Sequence, residues 1–173
     1  MTTTILKNDF YNRPTLEVAE ELLGKFLVIK KGGQKTALMI REAEAYDGPE
    51  DRASHAHKGK TERTSVMFGP AGHWYVYLVY GMYFMLNIVT GPKDYPAAIL
   101  IRGAGELAGP GKLTKTLGIT KAFNRQAALP KTGLWIEDRG AIPGMRIRKT
   151  PRIGVAYAGP VWSKKPYRFL LDE

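Results

Sequence analysis

Residues 74–89 read WYVYLVYGMYFMLNIV, and this stretch indicates the fold more clearly than any other. Aliphatic and aromatic residues that favour strands lie on both sides of Tyr80 and Gly81, and glycine beside an aromatic residue suits a tight turn. We therefore predict a β-hairpin with strands at 74–80 and 82–89.

Shorter strand patterns on either side of this hairpin predict a mainly antiparallel sheet around it. The amphipathic segment 14–24 predicts a helix with Thr15 as its N-cap and Gly24 at its C-terminal end. Strands and helices do not alternate, so the sequence predicts an α+β fold. We expect a single domain, residues 1–173, on a curved, barrel-like sheet with a few peripheral helices and a protruding hairpin. The other predicted elements are strands at 26–31, 36–46, 97–102, 134–136, 146–148 and 153–155 and a helix at 112–117.

The composition, with 44% hydrophobic and 24% charged residues, is that of a globular protein. No cysteine is present, which excludes disulfides and thiolate metal sites. The N-terminal residues lack the features of a signal peptide, and no apolar stretch is long enough for a membrane span. We expect an intracellular, monomeric protein with no membrane association, no metal and no cofactor.

The formal charge of +10 is distributed unevenly along the chain. Residues 1–102 carry 13 basic and 11 acidic residues, whereas residues 103–173 carry 13 basic and 5 acidic residues. An excess of Lys and Arg favours a polyanionic partner, because contacts to phosphates release counterions. A basic surface that serves solubility explains the charge equally well, so charge alone leaves both interpretations open.

Glu44 is the first candidate catalytic residue. In the strand predicted at 36–46, strict alternation puts Glu44 on a face that also carries aliphatic residues. Desolvation on that face would raise the pKa of the Glu44 carboxyl group toward the range of a general base. Taken alone, however, the segment favours a strand end that emerges into solvent, where glutamate is common. The predicted face carries five residues: Leu38, Ile40, Glu42, Glu44 and Tyr46.

The predicted hairpin contains six aromatic residues within residues 74–84. An ordinary core hairpin explains the aliphatic positions, but it explains Tyr80 at the turn less well. An aromatic side chain at a hairpin tip has little core to enter and could wedge between base pairs. Asn87 lies in an apolar run and needs polar partners if it is buried.

At this point the sequence resembles the alkyladenine, or 3-methyladenine, DNA glycosylases of the human alkylpurine glycosylase type, in a compact bacterial-like form. The resemblance extends over nearly the whole chain, with the matching blocks in the family's order. The blocks are Glu42–Asp51 with His55, Met67–Phe68, Tyr75–Tyr83 with Asn87, Leu100–Arg102, Gly109–Leu113, Arg152–Val155 and Lys165–Phe169.

The resemblance implies a base-flipping enzyme that hydrolyses damaged purines from duplex DNA through an activated water, with no lyase step. Glu44 would activate the water and Arg102 would help to position it. The base would be bound by Tyr46, His55, Tyr77, Asn87 and Leu100, with Asn87 disfavouring guanine. Tyr80, Met82 and Tyr83 would intercalate into the duplex, and Arg63, Lys112, Lys121 and Arg152 would contact its backbone. The implied substrates are 3-methyladenine, 7-methylguanine, hypoxanthine and ethenoadenine.

Two classes of protein compete with this interpretation. Aromatic residues beside basic ones are also typical of a non-catalytic single-strand binder, and a glutamate base also suits a small-molecule hydrolase. The loop 54–65 has Thr64 where the family usually has asparagine, which leaves the DNA contacts of this loop open. The histidines His55, His57 and His73 lack the supporting ligands that a metal site requires.

Overall fold

The structure is a computed structural model that describes residues 2–172. Over this range the chain forms ten strands and four short helices, with single 3₁₀ turns between some of them. The helices are α1 (Asn8–Tyr11), α2 (Thr15–Leu22), α3 (Pro110–Leu117) and α4 (Gly159–Trp162). The strands are β1 (Thr4–Ile5), β2 (Phe26–Lys31), β3 (Gln34–Asp47), β4 (Trp74–Val79), β5 (Tyr83–Val89), β6 (Ala97–Ala104), β7 (Leu107–Ala108), β8 (Leu134–Asp138), β9 (Arg146–Thr150) and β10 (Arg168–Asp172).

The strands form one antiparallel sheet in the order β1-β8-β2-β3-β6-β5-β4. The long strand β3 is its centre: residues 34–39 pair with β2, and residues 40–47 pair with β6. The strand β10 pairs with β3 on its other edge and also with β9. The predicted α+β class, with a curved, mainly antiparallel sheet and a protruding hairpin, is therefore confirmed.

The face assignment predicted for β3 is right for Glu42, Glu44 and Tyr46 but wrong for Leu38 and Ile40, because a β-bulge interrupts the strand. The register against β6 shifts on both sides of Glu42, and such a bulge reverses the alternation of side chains. Ile40 consequently packs in the same core cluster as Ala43 and Ala45. Glu42 and Glu44 lie on the opposite face, where both contact Arg102.

The main core lies between the sheet and the helices α2 and α3. Trp74 is its largest fully buried side chain, and its indole Nε1–H donates to the carbonyl of Leu134 at 3.0 Å. A smaller cluster around Tyr75, Met67 and Ala98 fills the base of the hairpin. No helix in the part of the chain that the structure describes is long and apolar enough to cross a membrane.

Three local predictions change. Thr15 is the first residue of α2 rather than its cap, and its hydroxyl contacts that of Thr90 at 3.0 Å. The hairpin strands end at Val79 and begin again at Tyr83, so residues 80–82 form the turn. The predicted strand at 153–155 is absent, because these residues turn at Gly154 and lead into a 3₁₀ turn.

Candidate active site

Glu44 lies in the interior of the sheet rather than at a strand end. Its backbone is flanked by Leu100 on β6 and by Arg168 on β10, so both edges of β3 are paired at this point. The side chain is 0% exposed. The solvent-exposed strand end that the isolated segment favoured is therefore excluded.

Three donors hold the Glu44 carboxylate. The backbone N–H of Ile153 donates to Oε2 at 2.7 Å, the Tyr46 hydroxyl donates to Oε1 at 3.1 Å, and Arg102 Nη1 lies 3.5 Å from the same Oε1. Burial raises the pKa of Glu44 above its ordinary value, although Arg102, the Ile153 amide and Tyr46 each oppose that rise. The result is a buried carboxylate that is more basic than an exposed one.

Arg102 is shared between two carboxylates. Its Nε donates to Glu42 Oε1 at 2.9 Å, which is a shorter contact than its 3.5 Å approach to Glu44. Arg168 Nε donates to the same Glu42 oxygen at 2.7 Å. Four charged side chains thus alternate in sign across three neighbouring strands.

A cavity of about 360 Å³ opens in front of Glu44, a volume at the lower end of the range of small-molecule sites. Three residues that contact the carboxylate, Tyr46, Arg102 and Ile153, line this cavity, so Glu44 lies directly behind its wall. The other lining residues include His55, Met67, Tyr75, Tyr77, Tyr80, Met85, Asn87, Leu100 and Tyr157.

Three aromatic rings in edge-on and tilted contact form one side of the cavity. Tyr77 meets the His55 ring edge-on at a centroid distance of 4.9 Å and lies 5.1 Å from the Tyr75 ring. The guanidinium of Arg63 lies 4.7 Å from the centroid of the Tyr77 ring. Burial, reinforced by Arg63, lowers the pKa of His55. The imidazole is therefore neutral at pH 7, with one nitrogen that donates and one that accepts.

Asn87 and Leu100 lie next to each other across β5 and β6 on the cavity wall. Both are buried, and the amide Nδ2 of Asn87 donates to the carbonyl of Tyr75 at 3.2 Å. This bond and a second from Nδ2 to the carbonyl of Met85 at 3.4 Å provide the polar partners that a buried asparagine needs, and they fix the orientation of its amide.

The hairpin tip projects from the mouth of the cavity. Tyr80 is 91% exposed and Met82 is 67% exposed. Tyr80 and Gly81 have φ angles of 52° and 62°, and such positive values match the type I′ turns that join two strands tightly. Tyr83 is 39% exposed and lies against Gly111 at the start of α3. A Cβ added at Gly111 would come within 2.8 Å of the Tyr83 ring. The sequence expectation of an exposed aromatic tip thus fits Tyr80 better than Tyr83.

Arg152 cannot contact DNA phosphates as predicted, because its side chain is 0% exposed. Its guanidinium binds Asp51 through two bonds and donates to the carbonyl of Ala45. It also lies over the rings of Tyr46 and Tyr167 at 4.8 and 5.0 Å. Arg152 therefore anchors the segment that leads to Ile153, and it supports one wall of the cavity from behind.

The other three predicted backbone contacts, Arg63, Lys112 and Lys121, are exposed. Lys112 lies with Lys115 beside Tyr80, in a groove between the hairpin and α3. Arg63 and Lys121 line a second cavity of about 730 Å³, which also borders Tyr77. Basic residues thus lie on two sides of the aromatic cavity.

Sequence reasoning missed two residues of the site. Ile153 supplies a main-chain donor, which no side-chain pattern reveals, and it fell in a segment predicted to be a strand. Tyr157 lines the cavity and is 67% exposed, while its hydroxyl donates to the carbonyl of Ala53 at 2.7 Å. The glycine at 154, with a φ of 73°, was the available sign of a turn at this position.

Together these features define a class of protein: one that can enclose a flat ring beside a buried carboxylate, next to an exposed aromatic turn and basic surfaces. The family model for methylpurine-DNA glycosylases matches residues 9–108 and 105–173. The chain belongs to the methylpurine-DNA glycosylase family.

Similar proteins from several organisms carry a provisional 3-methyladenine DNA glycosylase name. One from Methanocella arvoryzae is 46% identical over 186 residues, which cover 95% of this chain and 91% of the relative. One from Wolbachia pipientis subsp. Culex pipiens is 52% identical, covering 90% of this chain and 86% of the relative. One from Legionella pneumophila is 41% identical, covering 97% and 94%.

Proposed function

We propose that this protein is a monofunctional purine DNA glycosylase of base-excision repair, acting as a monomer through a single glycosylase domain. It would flip an alkylated or deaminated purine out of duplex DNA and hydrolyse its N-glycosidic bond. Its substrates would be 3-methyladenine, 7-methylguanine, hypoxanthine and ethenoadenine. The observation that carries the proposal is the fully buried Glu44 carboxylate behind an aromatic cavity beside the exposed Tyr80.

The chemical step uses Glu44 as a general base. A water molecule attacks C1′ of the deoxyribose while its proton passes to Glu44, and the bond from C1′ to the purine nitrogen breaks. The electron pair of that bond leaves with the base, which neutralises a cationic purine such as 3-methyladenine. Because Tyr46, Arg102 and Ile153 enclose Glu44, the water has to enter between these residues as the nucleotide binds.

Recognition of the base would come from the aromatic walls. A cationic purine is electron-poor, so the faces of Tyr46 and Tyr77 attract it more strongly than they attract a normal base. The neutral His55 imidazole can donate to or accept from the base edge. Asn87, held at the cavity floor by its bonds to the main chain, would leave too little room for the exocyclic amine of guanine.

The hairpin tip would stabilise the opened duplex. Extruding a nucleotide costs a few kcal/mol in lost stacking and pairing, and each stack of a base on an aromatic ring returns roughly 1–3 kcal/mol. Tyr80 in the vacated stack and one or two rings around the flipped base therefore offset the cost of extrusion. Contacts from Arg63, Lys112 and Lys121 to phosphates would supply affinity that does not depend on sequence.

We expect no lyase step, and the chemistry of the cavity wall supports that expectation. Strand cleavage by a bifunctional enzyme needs an amine that forms a Schiff base with C1′. Among the described residues that line the cavity there is no lysine. A carboxylate in the reacting position favours water as the nucleophile instead.

The proposal is tested on duplex oligonucleotides that each carry one of the four lesions, with free base and abasic sites measured. Wild-type protein should release base from at least one duplex, and strand breaks should appear only after alkali. Glu44→Gln should bind lesion DNA but release no base, while Glu20→Gln, in an exposed ion pair with Lys149, serves as the matched control. No release by wild-type protein from any lesion would overturn the proposal.

Binding measurements separate this proposal from a non-catalytic single-strand binder. Such a binder would show comparable affinity for single strands and for undamaged duplex, whereas a glycosylase prefers duplex that contains a lesion. DNA binding without salt dependence would instead favour a small-molecule hydrolase.

A further inference from the structure

Glu42 occupies a position that the reaction described above does not use. Its Oε1 accepts two charged donors, Arg102 Nε at 2.9 Å and Arg168 Nε at 2.7 Å. The three side chains are only 14–21% exposed, so their interactions are screened little by solvent. Two arginines therefore compete for one oxygen atom two residues away from the candidate base.

This arrangement restrains Arg102. Its guanidinium is bound through Nε to Glu42, and its Nη1 then stops 3.5 Å from Glu44 Oε1. Charge-assisted bonds between arginine and carboxylate normally close to about 2.7–2.9 Å. The contact between Arg102 and Glu44 is thus long, while the contact between Arg102 and Glu42 is of ordinary length.

We propose that Glu42 and Arg168 are a positioning pair that sets the distance of Arg102 from Glu44: Glu42 holds the guanidinium back, and Arg168 moderates that hold. Glu42 attracts the guanidinium of Arg102. Arg168 weakens that attraction because it donates to the same Glu42 oxygen. The inference rests on the proposed role of Glu44 as the base. Neither Glu42 nor Arg168 touches the substrate in this scheme, since both act through Arg102.

The chemical purpose of the restraint is to keep Glu44 basic. A guanidinium that closed fully on the carboxylate would stabilise its charged form and make it a weaker proton acceptor. At its observed distance Arg102 can still orient a water or a developing charge without neutralising the base. The charged and titratable groups around Glu44 are Glu42 and Tyr46 on its own strand, Arg102 on β6, Arg168 on β10, Tyr77 on β4 and Tyr157 in the segment after β9.

The two members of the pair give opposite predictions. In Glu42→Gln, the loss of a negative charge and the release of Arg102 should both lower the pKa of Glu44. In Arg168→Met, the loss of a positive charge and a stronger pull of Glu42 on Arg102 should both raise it. Damage to the fold alone has no reason to shift the two variants in opposite directions.

The first measurement needs no substrate. The protein is labelled with ¹³C at the glutamate carboxyl carbon, and Glu44 is assigned by the signal that is missing in Glu44→Gln. Its NMR titration should move to lower pH in Glu42→Gln and to higher pH in Arg168→Met, with no movement in Glu20→Gln. A Glu44 titration that is unchanged in Glu42→Gln, or that moves the same way in both variants, would overturn the proposal.

The second measurement is the pH profile of single-turnover base release. The acidic limb should follow the NMR titration in each variant, and misplacement of Arg102 should reduce the plateau rate in Glu42→Gln by up to about a hundredfold. A reduced plateau with an unmoved acidic limb counts against the positioning pair. If wild-type protein releases no base, the proposed function fails, and the NMR titration still decides whether Glu42 controls Glu44.

Discussion

Arg152 and Asp51 form a bidentate ion pair, with Nη1 to Oδ2 at 2.6 Å and Nη2 to Oδ1 at 2.9 Å, and both side chains are 0% exposed. Asp51 also accepts the backbone N–H groups of Asp47 and Ala53. The pair therefore joins the end of β3 to the segment whose Ile153 amide holds Glu44. A contact outside the cavity fixes two of its walls.

We predict that Asp51→Asn destabilises the protein by about 3–5 kcal/mol, because it leaves the Arg152 charge buried without its counter-ion. Urea denaturation measures the change. The matched control is Asp172→Asn, which removes the exposed partner of Arg148 and should cost less than about 1 kcal/mol. Equal losses in the two variants would contradict the structural role given to Asp51.

Glu44→Gln should raise the melting temperature at neutral pH. The folded-state pKa of Glu44 is raised by burial, so the ionised carboxylate costs stability at pH values above that pKa, and the cost disappears as pH falls through it. The difference in melting temperature between variant and wild type should accordingly shrink toward acidic pH. Calorimetry at several pH values tests this, and a variant that melts below wild type at neutral pH would refute it.

Replacing Tyr80 should separate stability from function. Tyr80 is 91% exposed at a φ of 52°, and asparagine tolerates such a backbone conformation. Tyr80→Asn should therefore change the unfolding free energy by no more than about 0.5 kcal/mol. Base flipping, followed with a fluorescent base beside the lesion, should weaken markedly. A variant that flips the base as well as wild type would remove the wedge role from Tyr80.

The ring of Tyr77, rather than its hydroxyl, should carry binding of the lesion. Tyr77→Leu removes the surface that stacks on the base, which is worth roughly 1–3 kcal/mol or about 5- to 150-fold in affinity. Tyr77→Phe keeps that surface and the contacts to the rings of His55 and Tyr75. Dissociation constants for lesion duplex should rise in the first variant and change little in the second; equal losses would point to the hydroxyl.

Lys121→Ala should reduce the salt dependence of DNA binding. If Lys121 contacts one phosphate, the slope of log affinity against log salt becomes shallower by about 1. Lys30, which is exposed on β2 and lines neither the aromatic cavity nor its basic neighbour, provides the control. If the slope of log affinity against log salt is the same in wild type and Lys121→Ala, Lys121 does not contact a phosphate.

The parts of the structure that sequence predicts are those with local causes. The hairpin at 74–89 follows from strand propensity and one glycine, and the helix around 112–117 from its glycine stop. The predicted base-binding residues, from Tyr46 to Leu100, do line one cavity. That grouping came from the family resemblance, since residues so far apart in sequence carry no common local pattern.

The parts that sequence missed depend on pairing over long distances. The bulge at Glu42 arises from the register of β3 against β6, so alternation alone correctly put Glu42 and Tyr46 on the face of Glu44 but wrongly added Leu38 and Ile40 to it. Arg152 was assigned to DNA through the family resemblance, and its burial depends on an aspartate 101 residues earlier, which no local pattern reveals. Ile153 acts through its main chain, which side-chain chemistry does not reveal.

The same bulge constrains how this chain can vary. Removing a residue at the bulge itself would only restore regular alternation, because Ile40 and Ala43 already share the core face. Removing Ala43, beyond the bulge, would instead turn every later side chain of β3 to the other face, so that Glu44 would exchange places with an alanine from the core. Point substitutions in this strand can be absorbed one at a time, but a single-codon deletion beyond the bulge would abolish the site in one step. Length changes are therefore expected to accumulate in the turns at 32–33 and 80–82 and to be absent from residues 43–47 of β3.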